Sequence, residues 1–398
     1  MSARWPDKYV IGLTGNIAVG KSVVRKMLEH LGAYGIDADQ LAHRAIAKGA
    51  PGYKPVVETF GKWILKPDGE IDRLKLARLV FSDPDAMRQL EAIVHPLVLQ
   101  AIDYLVRRSK RKVVVIEAIK LLETDLRQWC DAIWVVDAPA ELQLQRLIHK
   151  RGLRESEAYQ RILAQPPQAD KVAQADVVIH NDKDFETTWK QVLEAWKRIP
   201  ARFREPTRVE PAKPKPKPEV QPAAPTAKPE TLPAEALKVQ RATPKHARSI
   251  SDFIAQVTNG KERPSRTDII ARFGDRAYVL LMADGRIVGL AGWQVENLVA
   301  RVPELYLVEE APVDAGLEHL IRYIEENARE LQSEAILLFV GPDLYKRALH
   351  VWKKLGYEPR TAKALGIQAW IEAAEESQPP GTILLFKQLR KDRVLHPI

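Results

Sequence analysis

Apolar residues follow two alternating patterns over the first half of the chain. Tyr9 to Leu13, Val113 to Ile116, Ile133 to Val136 and Val177 to Ile179 are short runs, apolar throughout, as in strands covered on both faces. Between them, Lys21 to Leu31, Arg73 to Val80, Met87 to Arg107 and Glu141 to Lys150 carry apolar residues at helical spacing. This alternation predicts an α/β fold, a parallel sheet sandwiched by helices. The pattern then stops. From Glu205 to Pro233 prolines recur every few residues in Lys-Pro alternation, and no aromatic residue lies between Phe203 and Phe253. Proline removes backbone donors and fixes φ, while repeated lysines repel one another, so a disordered Pro/Lys-rich linker is expected over 201–245. Beyond it the pattern is α+β. Ser249 to Val257 reads as a helix, and Ala277 to Met282 and Arg286 to Trp293 as strands about the Asp284-Gly285 turn. Leu305 to Val308 reads as a strand, Val313 to Leu331 as a helix and Ala335 to Val340 as a strand. Asp343 to Leu355 then reads as a helix and Thr382 to Lys387 as the last strand. Domains are expected at 1–200 and 246–398.

Composition agrees with two domains: 398 residues, 45% hydrophobic and 28% charged, are enough for two buried cores. The net charge of +9 first suggests a nucleic-acid partner. Between Ala201 and Lys245, however, ten Lys or Arg face five Glu, so the linker supplies +5 and the two domains together +4. A solvated spacer accounts for the charge, and neither a nucleic-acid nor a membrane partner is expected. The single cysteine, Cys130, excludes an intrachain disulfide, and the N-terminal residues lack an apolar stretch of signal-peptide length. No run approaches the roughly 20 apolar residues of a membrane-spanning helix, so a cytoplasmic protein is expected.

The first predicted strand leads into Gly15-Asn16-Ile17-Ala18-Val19-Gly20-Lys21-Ser22, which fits G-x-x-x-x-G-K-[ST], and a helical pattern leads out. Such a loop wraps the backbone amides of Gly15, Ala18, Val19, Gly20, Lys21, Ser22 and Val23 and a helix N-terminus around a polyphosphate. Lys21 would reach the β- and γ-phosphates, and the Ser22 hydroxyl would ligate Mg2+. A P-loop says nucleotide without choosing among kinase, ATPase and GTPase. Asp37 and Asp39, two residues apart at the expected end of the second strand, would address one site from the same side of an extended segment. One could accept a proton from an attacking hydroxyl while the other holds metal-bound water or steadies the first. His43 and Arg44 follow as donors for an anionic acceptor. An N-cap Asp followed by a helix with exposed basic residues would produce the same local pattern.

These residues resemble the dephospho-coenzyme A kinase family. The likeness spans residues 9–198 and rests on GLTGNIAVGKS (12–22), DADQLAHR (37–44), FG (60–61), DGEIDR (68–73), LEAIVHP (90–96), LLE (121–123), VVDAPAELQLQR (135–146), RILAQ (161–165) and ADVVIHN (175–181), in that order. The resemblance implies a P-loop kinase with a helical lid, using MgATP to phosphorylate the ribose 3′-hydroxyl of dephospho-CoA. It implies Asp39 as catalytic base beside Asp37, and Arg146 as a lid arginine closing over the phosphates. A surface arginine paired to Glu141 or Glu157 is the plainer alternative for Arg146. His95 would contact the acceptor or orient the backbone, and Asn181 would return to the adenine pocket or form a strand-end turn. Glu117 would hold a metal-bound water or end its strand. The chain departs from the family pattern at Asn16 for glycine, Val23 for threonine and His43 for arginine, while Lys21 and Ser22 are kept. Another P-loop small-molecule kinase, or a scaffold without turnover, would share most of these features.

The element order after the linker resembles the GNAT N-acetyltransferase fold, with Trp352-Lys-Lys-Leu-Gly-Tyr357 resembling its closing helix and turn. The stretch Glu309 to Gly316, where that family binds pyrophosphate, keeps one glycine and begins with two acids and a proline. Acids repel pyrophosphate and proline lacks a donor. Trp352 stands where a catalytic tyrosine is frequent. An acetyltransferase, a module that binds acetyl-CoA or CoA or recruits a partner, and a structural appendage are all compatible with this pattern.

Overall fold

The computed structural model describes residues 4–204 and 237–390. The first half runs β1 (Tyr9–Thr14), α1 (Lys21–His30), β2 (Tyr34–Asp37), α2 (Ala38–Ala45), α3 (Tyr53–Phe60), α4 (Arg73–Ser82), α5 (Pro84–Arg108) and β3 (Val113–Glu117). It continues with β4 (Ala132–Asp137), α6 (Ala140–Arg151), α7 (Glu155–Leu163), α8 (Gln168–Val172), β5 (Val177–His180) and α9 (Phe185–Lys197). The strands form a five-stranded sheet in the order β2-β3-β1-β4-β5, with every pairing parallel. Alternate residues of β1, β3 and β4 enter different cores. Val10, Val114, Ile116 and Val135 pack with Leu41 of α2 and Ile102 and Leu105 of α5. Ile11, Leu13, Val115 and Val136 pack with Val24, Met27 and Leu28 of α1 and Val192 and Trp196 of α9. Two covered faces explain why the strands are apolar throughout. Each fully buried aliphatic side chain contributes about 1.5–3 kcal/mol to this arrangement.

The second half runs β6 (Lys238–Arg241), α10 (Ala247–Val257), α11 (Arg266–Arg272), β7 (Ala277–Ala283), β8 (Arg286–Glu296), β9 (Val299–Leu307), α12 (Val313–Glu330) and β10 (Ala335–Val340). After these come α13 (Pro342–Arg347), α14 (Leu349–Leu355), β11 (Glu358–Pro359), α15 (Gln368–Ser377) and β12 (Ile383–Gln388). The result is a seven-stranded α+β sheet in the order β11-β12-β10-β9-β8-β7-β6, antiparallel except at β9-β10. α12 and α14 cover one face. On the other, α10 and α11 lie over Tyr278, Leu280 and Leu290, and α15 lies over Val299, Leu337 and Phe339. The predicted strand at 305–308 is the end of the longer β9, whose alternation is interrupted by Arg301 and Pro303. The predicted helix over 343–355 is two helices meeting at Ala348.

Residues 205–236, most of the expected linker, lie outside the described residues. Its margins are folded. Phe203 is buried with its ring 5.8 Å from Tyr9, and Leu237 is buried at the start of β6, which pairs with β7. The linker boundary of 201–245 is therefore corrected at both ends. The two halves also pack together. Arg44 pairs with Glu334 at 2.8 Å, Arg111 with Glu330 at 2.6 Å and Arg266 with Glu186 at 2.7 Å. Leu298 and Leu331 from the second half pack on the first-half core below α2 and α5, while Phe185 packs on the core below α10 and α11.

Candidate active site

The site forms where β1 turns into α1. Gly15 has φ +143°, and a Cβ there would stand 2.4 Å from the Val136 carbonyl oxygen. Gly20 has φ +99°, and its Cβ would stand 2.1 Å from Asn181 Nδ2, so both positions require glycine. Gly20 caps α1 in the left-handed conformation without a side-chain cap. Among the described residues the amides of Ala18, Val19, Gly20, Lys21 and Ser22 find no acceptor. A row of free donors at a helix N-terminus is an anion site. The earlier amides of Asn16 and Ile17 are occupied instead, donating to Gln168 Oε1 at 2.9 Å and Gln165 Oε1 at 2.7 Å. Lys21 is buried, with Nζ donating to the Asn16 carbonyl at 3.1 Å. Burial pushes its ammonium pKa down, while Glu117 and Asp39 oppose that shift.

Arg146 lies on the carbonyl side of the loop. Its Nη1 donates to the Ala18 and Val19 carbonyls, both at 3.1 Å, and its Nη2 donates to the Asn181 carbonyl at 2.7 Å. Asn181 Nδ2 adds a bond to the Val19 carbonyl at 2.8 Å, and Thr188 Oγ1 donates to Asn181 Oδ1 at 3.1 Å. Holding the carbonyls on one side keeps the following amides directed to the other. Arg146 is thus neither a surface arginine paired to Glu141 or Glu157 nor free of the loop, and Asn181 is a loop fastener rather than a simple turn residue.

Asp37 and Asp39 meet by a different route from the one expected. Asp37 ends β2 and caps α2, accepting the Gln40 amide at 2.9 Å. Asp39 lies in the first turn of α2 rather than on the strand, and its Oδ2 accepts the Ile119 amide at 3.2 Å. The N-cap pattern and the carboxylate pair are one arrangement. Burial raises the Asp39 pKa, opposed by Lys21 and by the Ile119 amide. Burial, reinforced by Glu117 and opposed by Arg25, pushes Asp37 up to about 6. Glu117 ends β3, buried, with Oε1 accepting the Ser22 hydroxyl at 2.9 Å and Oε2 accepting Arg25 Nε at 2.7 Å. The Ser22 and Glu117 oxygens lie together beside Lys21, a donor set that suits a hard cation.

The acceptor-side residues separate. His43 is exposed on α2, close enough to Arg73 of α4 and Glu372 of α15 to feel their charges. Arg44 is corrected: its Nη2 donates to both Glu334 oxygens, at 2.9 and 2.8 Å, and its Nη1 to the Asn297 carbonyl at 2.7 Å. The guanidinium is committed to the second domain and buried there, so it does not face an acceptor. His95 lies inside α5, immediately before Pro96, with Nε2 buried and unpartnered among the described residues.

A family model described as dephospho-CoA kinase matches residues 9–187. A dephospho-CoA kinase of Geobacter metallireducens is 46% identical over 191 residues, 47% of this chain and 95% of that protein. The chain belongs to the dephospho-CoA kinase family. A second member, from Geobacter sulfurreducens, is 43% identical over 48% of this chain and 99% of its own length. The dephospho-CoA kinase match thus ends near the start of the expected linker. The second half is similar in structure to a GNAT-family acetyltransferase of Staphylococcus aureus, at 15% identity and TM-score 0.31, over 39% of this chain and all of that one.

Lys171 of α8 has no counterpart among the residues singled out from sequence. It is buried, donates to the Ile119 carbonyl at 2.6 Å and lies near Asp39. A lone lysine in a polar stretch carries no signal of such a position. Gln165 and Gln168 were equally silent, although RILAQ lies within the family pattern. In the second half Trp352 is 2% exposed and part of the core, and Gly316 permits close packing, since its Cβ would stand 3.1 Å from Leu307 Cδ2.

Replacing Gly20 with alanine is expected to lower ATP affinity at least tenfold in titration calorimetry, because the Cβ collides with Asn181 and the positive φ is strained. A base at Asp39 would have to be ionised to accept a proton, and burial raises the pKa of both carboxyls. The acid limb of kcat/KM is therefore expected above the ordinary carboxylate value of about 4. A pH-rate profile showing the limb near pH 4 would contradict that placement.

Proposed function

We propose that the chain transfers the γ-phosphoryl group of ATP to the ribose 3′-hydroxyl of dephospho-CoA, giving CoA and ADP. The observation that carries this reading is the adjacency of free loop amides to a half-buried carboxylate, Asp39, whose pKa is raised and which neighbours Lys21. The amides of Ala18 to Ser22 and the Lys21 ammonium hold the triphosphate and orient its γ-phosphorus for in-line attack. Asp39 accepts the hydroxyl proton as the new O–P bond forms and the bond to the β-phosphate oxygen breaks. Lys171, near Asp39, favours the ionised carboxylate before the proton arrives.

The Ser22 hydroxyl and the Glu117 carboxylate, 2.9 Å apart, fit Mg2+ held jointly with phosphate oxygens. When bound, the ion supplies neutralisation of phosphate charge. Among the described residues no group of three or more His, Cys, Asp or Glu is arranged to hold a metal. Among those residues also, no helix is long and apolar enough to cross a membrane.

For the second domain, burial of Trp352 and the acidic approach to α12 favour a docked structural partner over an acetyltransferase.

Asp39→Asn keeps the side-chain shape and removes the base. It is expected to lower kcat by about 10²–10⁴-fold while the ATP dissociation constant stays within about twofold. Normal turnover in a coupled ADP-release assay would remove Asp39 from this role.

A further inference from the structure

One buried contact between the halves falls on the helix that carries Asp39. The β8–β9 hairpin turns through Asn297 and Leu298, at φ +52° and +60°. Both residues are in the left-handed region, which a bulky residue such as leucine rarely adopts, and such strain persists only where surrounding contacts hold it. Leu298 packs on the apolar cluster that contains Leu41 and Ala45 of α2 and Leu105 of α5. The Leu298 carbonyl accepts the Glu334 amide at 2.7 Å, which joins the hairpin to the turn after α12. Glu334, 0% exposed, then presents both carboxylate oxygens to Arg44, while the Asn297 carbonyl takes the other arm of the same guanidinium. One arginine thus reads both parts of a preassembled surface of the second domain.

α2 has eight residues, too few to be stable or fixed in direction by its own hydrogen bonds. Its N-terminus is held by the Asp37 cap, and its C-terminal half by Leu298 and Glu334. We infer that the second domain braces α2, with Glu334 and Leu298 as positioning residues that set Asp39 and His43 for the acceptor. The inference rests on the kinase reading above. The nucleotide side of the site stands on β1, α1 and α6; α1 also meets the second domain, where Arg241 donates to the Glu29 carbonyl at 3.2 Å and Phe273 lies against His30, but not through Glu334 or Leu298, so variants at those two residues act on the acceptor terms of the reaction.

The test uses the full chain. Glu334→Ala is expected to lower kcat/KM for dephospho-CoA at least tenfold, to leave KM for ATP within twofold, and to speed hydrogen exchange of the α2 amides. Glu334→Gln, which keeps one acceptor oxygen for Arg44, recovers part of the loss. Leu298→Gly accepts the positive φ but removes the apolar contact, and shifts the same ratio in the same direction. Equal losses for both substrates, an unchanged kcat/KM alongside faster α2 exchange, or unchanged α2 exchange would each overturn the brace. If Glu334→Ala does not fold, Glu334→Gln and Leu298→Gly carry the comparison. Turnover of the unaltered chain with dephospho-CoA tests the kinase reading separately. Were another acceptor preferred, the same ratios would be taken with that acceptor.

Discussion

Glu117 is the charge around which the nucleotide site closes. It sits at the end of a buried parallel strand, where an unpaired carboxylate would be strongly unfavourable. Arg25 and Ser22, both on α1, satisfy its two oxygens at 2.7 and 2.9 Å. The same guanidinium bonds Glu29 at 2.7 Å and approaches Asp37 to 3.9 Å. One network therefore ties the loop helix, the end of β3 and the cap of α2, and it fixes the separation between the loop amides and the proposed base, Asp39. Removing one member of such a buried pair typically costs about 3–5 kcal/mol, because the other charge remains without compensation.

That network also divides the labour among the carboxylates. Glu117 is paired at both oxygens, and Asp37 is committed to capping α2. Asp39 accepts the Ile119 amide, with Lys21 and Lys171 nearby, and is the carboxylate proposed as the proton acceptor. The loop is held from its outer side by Arg146 and Asn181 and from its first amides by Gln165 and Gln168. Its remaining donors are preorganised, with little rearrangement required when a polyphosphate arrives.

Much of the fold was legible because β1, β3, β4 and β5 show their burial directly as apolar runs, from Tyr9 in β1 to Ile179 in β5. The P-loop was legible for a related reason: its two special glycines and its lysine stand at fixed spacing in one stretch of chain. What escaped depends on partners distant in sequence. Arg44 reads locally as an exposed helix donor, and only Glu334, 290 positions away, makes it a buried interdomain residue. Arg146 shows the same limit, since its acceptors are main-chain carbonyls that carry no side-chain signal. Arg301 and Pro303 interrupted the apolar pattern of β9, and Ala348 hid the break between α13 and α14. β6, beginning at Lys238, was hidden by the Pro/Lys-rich composition preceding it.

The central claim is that this arrangement moves a phosphoryl group from ATP to one hydroxyl of dephospho-CoA. Phosphorus NMR of a reaction containing the full chain, MgATP and dephospho-CoA observes that transfer directly. The account predicts a new ribose 3′-phosphate monoester signal growing in step with ADP. ADP released without that monoester, or phosphate appearing on a different hydroxyl, would contradict it.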